Sequence, residues 1–494
     1  MPTARVAPST SSERAVIVVA LAMLLTYGYE VFNFNLSLDE PVLLGGGQRS
    51  LASLFASQGR WGMALQYAVL PETVLPVVSA GLAVLLVGAS LWVLATKVFG
   101  LSPMTAGFIT AVAATMPTIG FGISFATIAL GIGLGFAASA IYGVCATSTT
   151  WQRLALAVLA GTLAMGIYQG FAFTLLAISL SLVARRSDWR FAGRNIGLLA
   201  TCALANVVIG ALAKRALGAP SDTYVNDVMD LPGLASDPWG RLSAASARNV
   251  EVLAPGASLY DNLQPWLALL LTVLVVLAIR SSLRVSSHQS RIVRPLALLA
   301  LLVTPVVAAL LVDELPIRSM VYLPVCLLGL TAIAIADAGP EVGSPSTQVG
   351  ITGWLAVGLC TMAVIANASV SNQAFVASEA SLARDRFLAL RIDEEARRLF
   401  PDAAEAPVVV VSAPKQQGLG TVGRPAEQFG LSLFTGEPWR STSFLTSQGV
   451  EVSSPTAEEE QRGLAAAAHM PEYPTAGWAK SLDGMLVVNL GPDY

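Results

Sequence analysis

Between Lys97 and Arg153 the chain reads VFGLSPMTAGFITAVAATMPTIGFGISFATIALGIGLGFAASAIYGVCATSTTWQ, residues 98–152, without one Asp, Glu, Lys or Arg. A helix crossing a bilayer needs roughly 20 apolar residues. These 55 residues are too many for one crossing and suit two. The same pattern recurs outward from this stretch. Residues 154–184, 195–213, 262–279, 295–312, 319–336 and 342–378 are also uncharged. The expected spans are 15–36, 74–96, 104–118, 122–145, 152–167, 169–184, 195–213, 263–279, 295–312, 319–336 and 350–372. The fold class read from this is an α-helical polytopic membrane protein of about eleven transmembrane helices.

Composition agrees. Of 494 residues, 54% are hydrophobic and 12% charged, against roughly 25% charged in soluble domains. That balance excludes a soluble globular enzyme, a disordered chain, a fibrous protein and a basic nucleic-acid binder. The net charge of −3 suggests no polyanionic partner. Cys145, Cys202, Cys326 and Cys360 lie in apolar runs without metal-ligand spacing. They read as small core residues.

Lys and Arg in short loops set orientation. With a cytoplasmic N-terminus, the inner loops hold twelve such residues and the outer loops seven. The first span follows basic residues but precedes no small-residue cleavage site, so it reads as a retained anchor. An odd span count places the C-terminal region outside. Three outer segments result: a loop at 37–73, a loop at 214–262 and the tail from 373. The domains expected are a membrane part, 1–372, and an extracytoplasmic part, 373–494. The tail carries sixteen Asp/Glu and ten Lys/Arg. Residues 375–400 and 456–470 read as helices; PVVVV at 407–411 and MLVVNL at 485–490 read as buried strands. Together they predict a small α/β domain.

Charged residues collect in the outer segments. Asp39–Glu40, after the first span, suits a general base facing a watery cavity, or a solvated loop start before Pro41. Glu30, inside the first span, either lines the same cavity or snorkels to the surface. In residues 50–65, which include SLFASQGRWGMAL, Leu51, Leu54, Phe55, Trp61 and Leu65 suit an apolar face lying on the membrane, interrupted at Gln58–Trp61. Arg60 suits a phosphate or a lipid headgroup. Tyr168–Gln169 suits hydroxyls of a ligand, or closes a tight helical hairpin. Arg318, beside Asp313 and Glu314, suits a phosphate clamp or a local ion pair. Lys214 and Arg215 can reach lipid phosphate or simply anchor a span. Tyr260 ends the second loop. His288 and His469 have no partner at ligand spacing, and no nucleotide or metal fingerprint stands out.

The order of features carries more than any one of them. A first span leads to DE, then QGRWG, an outer YQ and a late outer arginine; the tail carries FGLSLF, then MPEYPTAGW and MLVVNL. In this the chain resembles the bacterial O-antigen glucosyltransferases, polytopic serotype-modifying enzymes of the GT-C superfamily. The likeness covers nearly the whole chain and is most specific at 38–62 and 428–490. The tail departs at Ala476–Gly477–Trp478, where a glycine and a small polar residue are expected.

The resemblance implies transfer of a sugar, glucose by preference, from a polyprenyl-phosphate carrier to a hydroxyl of a cell-surface or lipid-linked glycan. It implies catalysis by Asp39, with Glu40 the runner-up. Donor phosphate is expected on Arg60 and Arg318, with Lys214 and Arg215 as further candidates. Substrate is expected on Gln58, Trp61, Tyr168, Gln169 and Tyr260. No cofactor and no metal are expected; the partners are the lipid-linked donor, the glycan acceptor and the bilayer. The competing readings are a lipid or glycan flippase, and a membrane scaffold whose tail binds envelope partners. The near absence of ionisable groups within spans argues against a carrier.

Overall fold

The computed structural model describes residues 10–33, 35–37, 40–41, 51–70, 76–219, 231–253, 265–284, 288–312, 315–336, 351–401, 405–411, 429–434 and 438–491. The chain is mostly helical. Helix α1 covers Thr10–Phe32, followed by short helices α2, Leu51–Ser57, and α3, Trp61–Val69. Helix α4, Pro76–Val93, ends in a π-turn at Leu94–Val98. Next come α5, Pro103–Ala114; α6, Pro117–Ile123; α7, Ala126–Ala146; α8, Trp151–Ile167; α9, Phe171–Arg186; and α10, Trp189–Ala216. After two short helices, α11, Leu231–Ser236, and α12, Pro238–Leu253, the chain forms α13, Trp266–Leu283, and α14, His288–Leu310. A 3-10 turn at Ile317–Ser319 leads into α15, Leu323–Ala334, and then α16, Ile351–Leu399.

Among the described residues, seven helices are long and apolar enough to cross a membrane: α1, α4, α7, α10, α13, α14 and α16. The pair α5 and α6, bent by 57°, raises the number to eight if it counts as one span. The other three predicted crossings are helices as well but shorter. Helices α8, α9 and α15 have 17, 16 and 12 residues. At 1.5 Å per residue the last is only about 18 Å long. Residues Leu323–Ile333 of α15 are all buried, so its short span meets other helices instead of lipid.

The break between α5 and α6 follows from Pro117, which has no N–H to continue the helix. A broken helix frees carbonyls that nothing apolar can satisfy, and here side chains do so. Thr115 Oγ1 donates to the carbonyl of Val112 (3.1 Å), and Tyr27 Oη donates to that of Ala114. Asn367 Nδ2, from α16, donates to Thr115 Oγ1 at 3.4 Å. The glycines at 131, 133 and 135 mark close packing. A Cβ on Gly133 would stand 2.8 Å from Ala83 Cα on α4.

The helix ends sort into two layers. At one end, arginines donate to carbonyls at helix C-termini, which no helix can satisfy from within. Arg185 Nη1 reaches Val98 O at 3.3 Å, Arg186 Nη2 reaches Thr147 O at 3.1 Å, and Arg194 Nη2 reaches Ala146 O at 2.8 Å. Buried Arg294 reaches Ile333 O at 3.0 Å. The opposite ends of α7, α8, α9 and α15 meet around Thr127, Tyr168 and Ser319.

The last predicted span and the tail's first helix form one continuous helix, α16, 49 residues long. Beyond it lies a four-stranded sheet of β1, Ala406–Val411; β2, Val452–Ser453; β3, Ala479–Leu482; and β4, Met485–Asn489, in the order β2-β1-β4-β3. Strand β1 runs parallel to β2 and β4, and β3 is antiparallel to β4. Both strands predicted at 407–411 and 485–490 are present. Buried on both faces, they need cover on both. Val408, Val410, Leu486 and Val488 pack toward Leu388 and Ile392 of α16 and Phe444 of α17, Pro438–Ser447. Val409, Met485 and Val487 pack toward Ala467 of α18, Ala457–Ala467. Thr456 and Glu459 form a capping box that starts α18.

Segment 429–434, FGLSLF, lies along α16. Ser378 Oγ accepts from Gly430 N (3.4 Å), Ser381 Oγ donates to Leu431 O (2.9 Å), and buried Asp385 accepts from Ser432 Oγ and Leu433 N (2.8 and 2.6 Å). The spacing 378, 381, 385 keeps all three on one helix face. Phe429 places its ring against both Phe121 of α6 and Phe375 of α16, at 4.5 and 5.9 Å between centroids.

Candidate functional site

Helix α7 begins at the site end, and its N-terminus carries a partial positive charge and unsatisfied N–H groups. Glu40 answers both. One carboxylate oxygen accepts from Thr127 N at 2.8 Å; the other accepts from Ser37 N at 2.9 Å. The side chain is fully buried. Burial pushes its carboxyl up from the ordinary range to about 7, although the Ser37 and Thr127 bonds favour the charged form. Thr127 is held on its other side as well, since its carbonyl accepts from Tyr67 Oη of α3. Buried Glu30, at the same end of α1, accepts from Asn35 Nδ2 at 2.9 Å.

The QGRWG stretch is the turn between α2 and α3. Gly59 supplies the left-handed backbone that this turn requires, with φ of +76°. Leu51 and Phe55 are buried in the protein, with Phe55 stacked on Tyr67 at 5.6 Å. The expected membrane-lying apolar face is therefore largely turned inward, with Leu65 left exposed. The turn clasps the break between α8 and α9. Gln169 Nε2 donates to the Gln58 carbonyl at 3.0 Å, and Arg60 Nε donates to Gln169 Oε1 at 3.4 Å. The Arg60 guanidinium lies over the Tyr168 ring, 4.8 Å from its centroid. Trp61 Nε1 donates to Asn206 Oδ1 of α10 at 2.8 Å, and its indole covers Gly166, where a Cβ would stand 2.2 Å from the ring.

The 3-10 turn completes the group. Tyr168 Oη and Ser319 Oγ share a hydrogen bond. The Arg318 guanidinium lies over the ring of Phe125, 4.8 Å from its centroid. Phe125 is the N-cap residue of α7, two before Thr127. Contacts and chain neighbours thus link Glu40, through Thr127 and Phe125 at the start of α7, to Arg318, Ser319 and Tyr168, and on to Arg60, Gln169 and Gln58. Two guanidinium groups held on aromatic faces can receive an anion and fix its orientation.

Of the residues predicted from sequence, Glu40, Gln58, Arg60, Trp61, Tyr168, Gln169 and Arg318 come together here. Lys214 and Arg215 do not join them. They stand at the last turn of α10, eight and nine residues past Asn206, or roughly 12 Å along the axis. Asp39 and Tyr260 lie outside the described residues. Sequence reasoning missed Thr127, Phe125, Asn206 and Ser319. Ser319 adjoins Arg318 and was within reach; the others sit in apolar runs with nothing local to mark them.

The family model described as glucosyl transferase GtrII matches residues 28–333, well over half of the chain. The chain belongs to the GtrII glucosyltransferase family. The match begins near the C-terminal end of α1 and ends within α15, so it spans every described site residue named above. Among curated proteins no match is found. As a member of this family the protein is a multi-pass membrane glycosyltransferase, and the expected family resemblance holds. The sheet and α17 and α18 lie beyond the matched region.

Proposed function

We propose that this glucosyltransferase moves glucose from a polyprenyl-phosphate donor to a hydroxyl of a cell-surface or lipid-linked glycan, at the outer face of the bacterial inner membrane. The observation that carries the reading is the pair Arg60 and Arg318, each held on an aromatic ring and joined through the Tyr168–Ser319 hydrogen bond. A lipid phosphate leaving from a sugar gathers negative charge, and guanidinium groups fixed beforehand stabilise it without reorganisation. In this reading the seven long helices, the bent pair α5–α6 and the shorter α8, α9 and α15 all serve as crossings, with the N-terminus cytoplasmic. That puts the arginine-capped end inside and the site, with region 373–494, outside. The basic excess at the arginine-capped end supports this orientation.

The chemistry is one displacement. The acceptor oxygen forms a bond to the anomeric carbon as the bond from that carbon to the phosphate oxygen breaks. The phosphate leaves with the electron pair, and a carboxylate takes the acceptor proton. A direct displacement inverts the anomeric centre. Asp39 takes the role of base. Glu40 suits it less, because both its oxygens already accept backbone N–H bonds and it has no exposed surface. Glu40 instead ties the segment bearing Asp39 to the start of α7. Tyr168, Gln169, Gln58 and Trp61 line the approach, and Tyr260 is placed there from sequence alone. Lys214 and Arg215 meet lipid headgroups.

The test is sugar transfer by purified protein supplied with polyprenyl-phosphate-linked glucose and a glycan extract. Wild type should transfer, and Asp39→Asn should bind donor without turnover. Equal transfer by both would move the base to Glu40. No transfer by wild type, with counterflow of labelled lipid in sealed vesicles, would replace the enzyme reading with a carrier.

A further inference from the structure

Ser319 has no part in the reaction just proposed, yet it sits where the two arginine-bearing pieces of the site meet. Arg318 precedes it on the 3-10 turn between α14 and α15. Tyr168, which supports Arg60, lies at the break between α8 and α9. These segments are about 150 residues apart in sequence, and no local propensity sets their spacing. Their seam is close. Gly170, two residues past Tyr168, faces the Ser319 carbonyl so tightly that a Cβ there would stand 2.6 Å from it. At the same seam Tyr168 Oη and Ser319 Oγ bond to each other. Tyr168 is buried and Ser319 half-buried.

The geometry points to Ser319 as a positioning residue that sets the separation of the Arg60 and Arg318 guanidinium groups, and so the site's affinity for a lipid-linked phosphate. The inference rests on the donor-phosphate reading above. Tyr168 is the mechanical link, with Arg60 on its face and Ser319 on its hydroxyl. A Tyr ring without that bond can slide along the seam and carry Arg60 with it. Neither Ser319 nor the Tyr168 hydroxyl needs to touch the phosphate for this effect.

The probe is farnesyl phosphate, titrated calorimetrically into the purified full-length protein in detergent, beside a thermal melt of each variant. Ser319→Ala and Tyr168→Phe should each weaken binding by about tenfold, within the range that residues touching no ligand exert through the groups they hold in place. Phe at 168 keeps the ring under Arg60, so it removes only the link. The double variant should bind as either single does, because both remove the same interaction. Ser319→Thr, which keeps the hydroxyl, should bind within about twofold of wild type. Unchanged affinity in Ser319→Ala overturns the inference. So do independent, multiplying losses in the double variant, a folded Ser319→Thr that binds no better than Ser319→Ala, or a wild type that does not bind the probe. Binding with this full pattern but no sugar transfer by wild type would sustain the positioning role and reject the transferase reading instead.

Discussion

Glu40 accepts the backbone N–H of Thr127 at 2.8 Å across 87 residues of chain. That bond fastens the segment after α1 to the first turn of α7, and it does so with a carboxylate that has lost all contact with water. The helix terminus favours the negative charge, and burial disfavours it. Burial prevails, leaving the carboxyl near 7.

A pH dependence follows. The folded state holds this proton more tightly than the unfolded chain, whose carboxyl titrates near 4.5. Glu40 therefore contributes most to stability below that value, and loses ground as pH rises toward 7. Wild type should lose up to about 3 kcal/mol relative to Glu40→Gln between pH 4.5 and 7.5, the linkage equivalent of that shift. Thermal melts of both proteins across this range measure it. A constant gap would show that the buried carboxyl titrates normally.

Gly166 and Gly193 should respond oppositely to alanine. At Gly166 the new Cβ would collide with the Trp61 indole, while at Gly193, on α10, it meets nothing within 4 Å. Gly166→Ala should cost about 1–3 kcal/mol through overpacking and lower transfer by displacing Trp61 from Asn206. Gly193→Ala should be neutral or stabilising by up to about 1 kcal/mol. Melting temperatures and transfer rates of the two variants give the comparison.

Arg318→Lys should raise the donor KM about tenfold, because lysine keeps the charge but neither the planar stacking on Phe125 nor a bidentate grip. Steady-state kinetics with varied donor concentration reads it. An unchanged KM would reduce Arg318 to a long-range charge.

Phe429→Ala tests how the tail is held. The ring is buried between Phe121 and Phe375, and its truncation should cost about 3–5 kcal/mol. Hydrogen exchange should then rise at 429–434 and along α6 together. A rise confined to the tail would show that α6 does not depend on this contact.

Much of this architecture is written in local pattern. The uncharged run at 98–152 announces apolar helices because charge in hydrocarbon is costly wherever the chain later goes. PVVVV and MLVVNL announce buried strands for a similar reason, and the YQG break shows itself by interrupting an apolar run. The order of DE, QGRWG, YQ and a late arginine marks the family. None of these patterns says that Glu40 caps α7, that Trp61 rests on Gly166, or that α16 runs unbroken from the membrane part to the sheet. The last was hidden because residues 373–399 change from apolar to polar without any helix-breaking residue, so composition shifts where the backbone does not. Thr127 and Phe125 carry no local signal at all. Their roles exist only because packing brings the start of α7 against Glu40 and Arg318, and buried polar groups must find partners wherever packing leaves them. Hydrophobic pattern could determine which segments become helices; only the tertiary structure decided which helix ends meet, and so which of several arginines share one site.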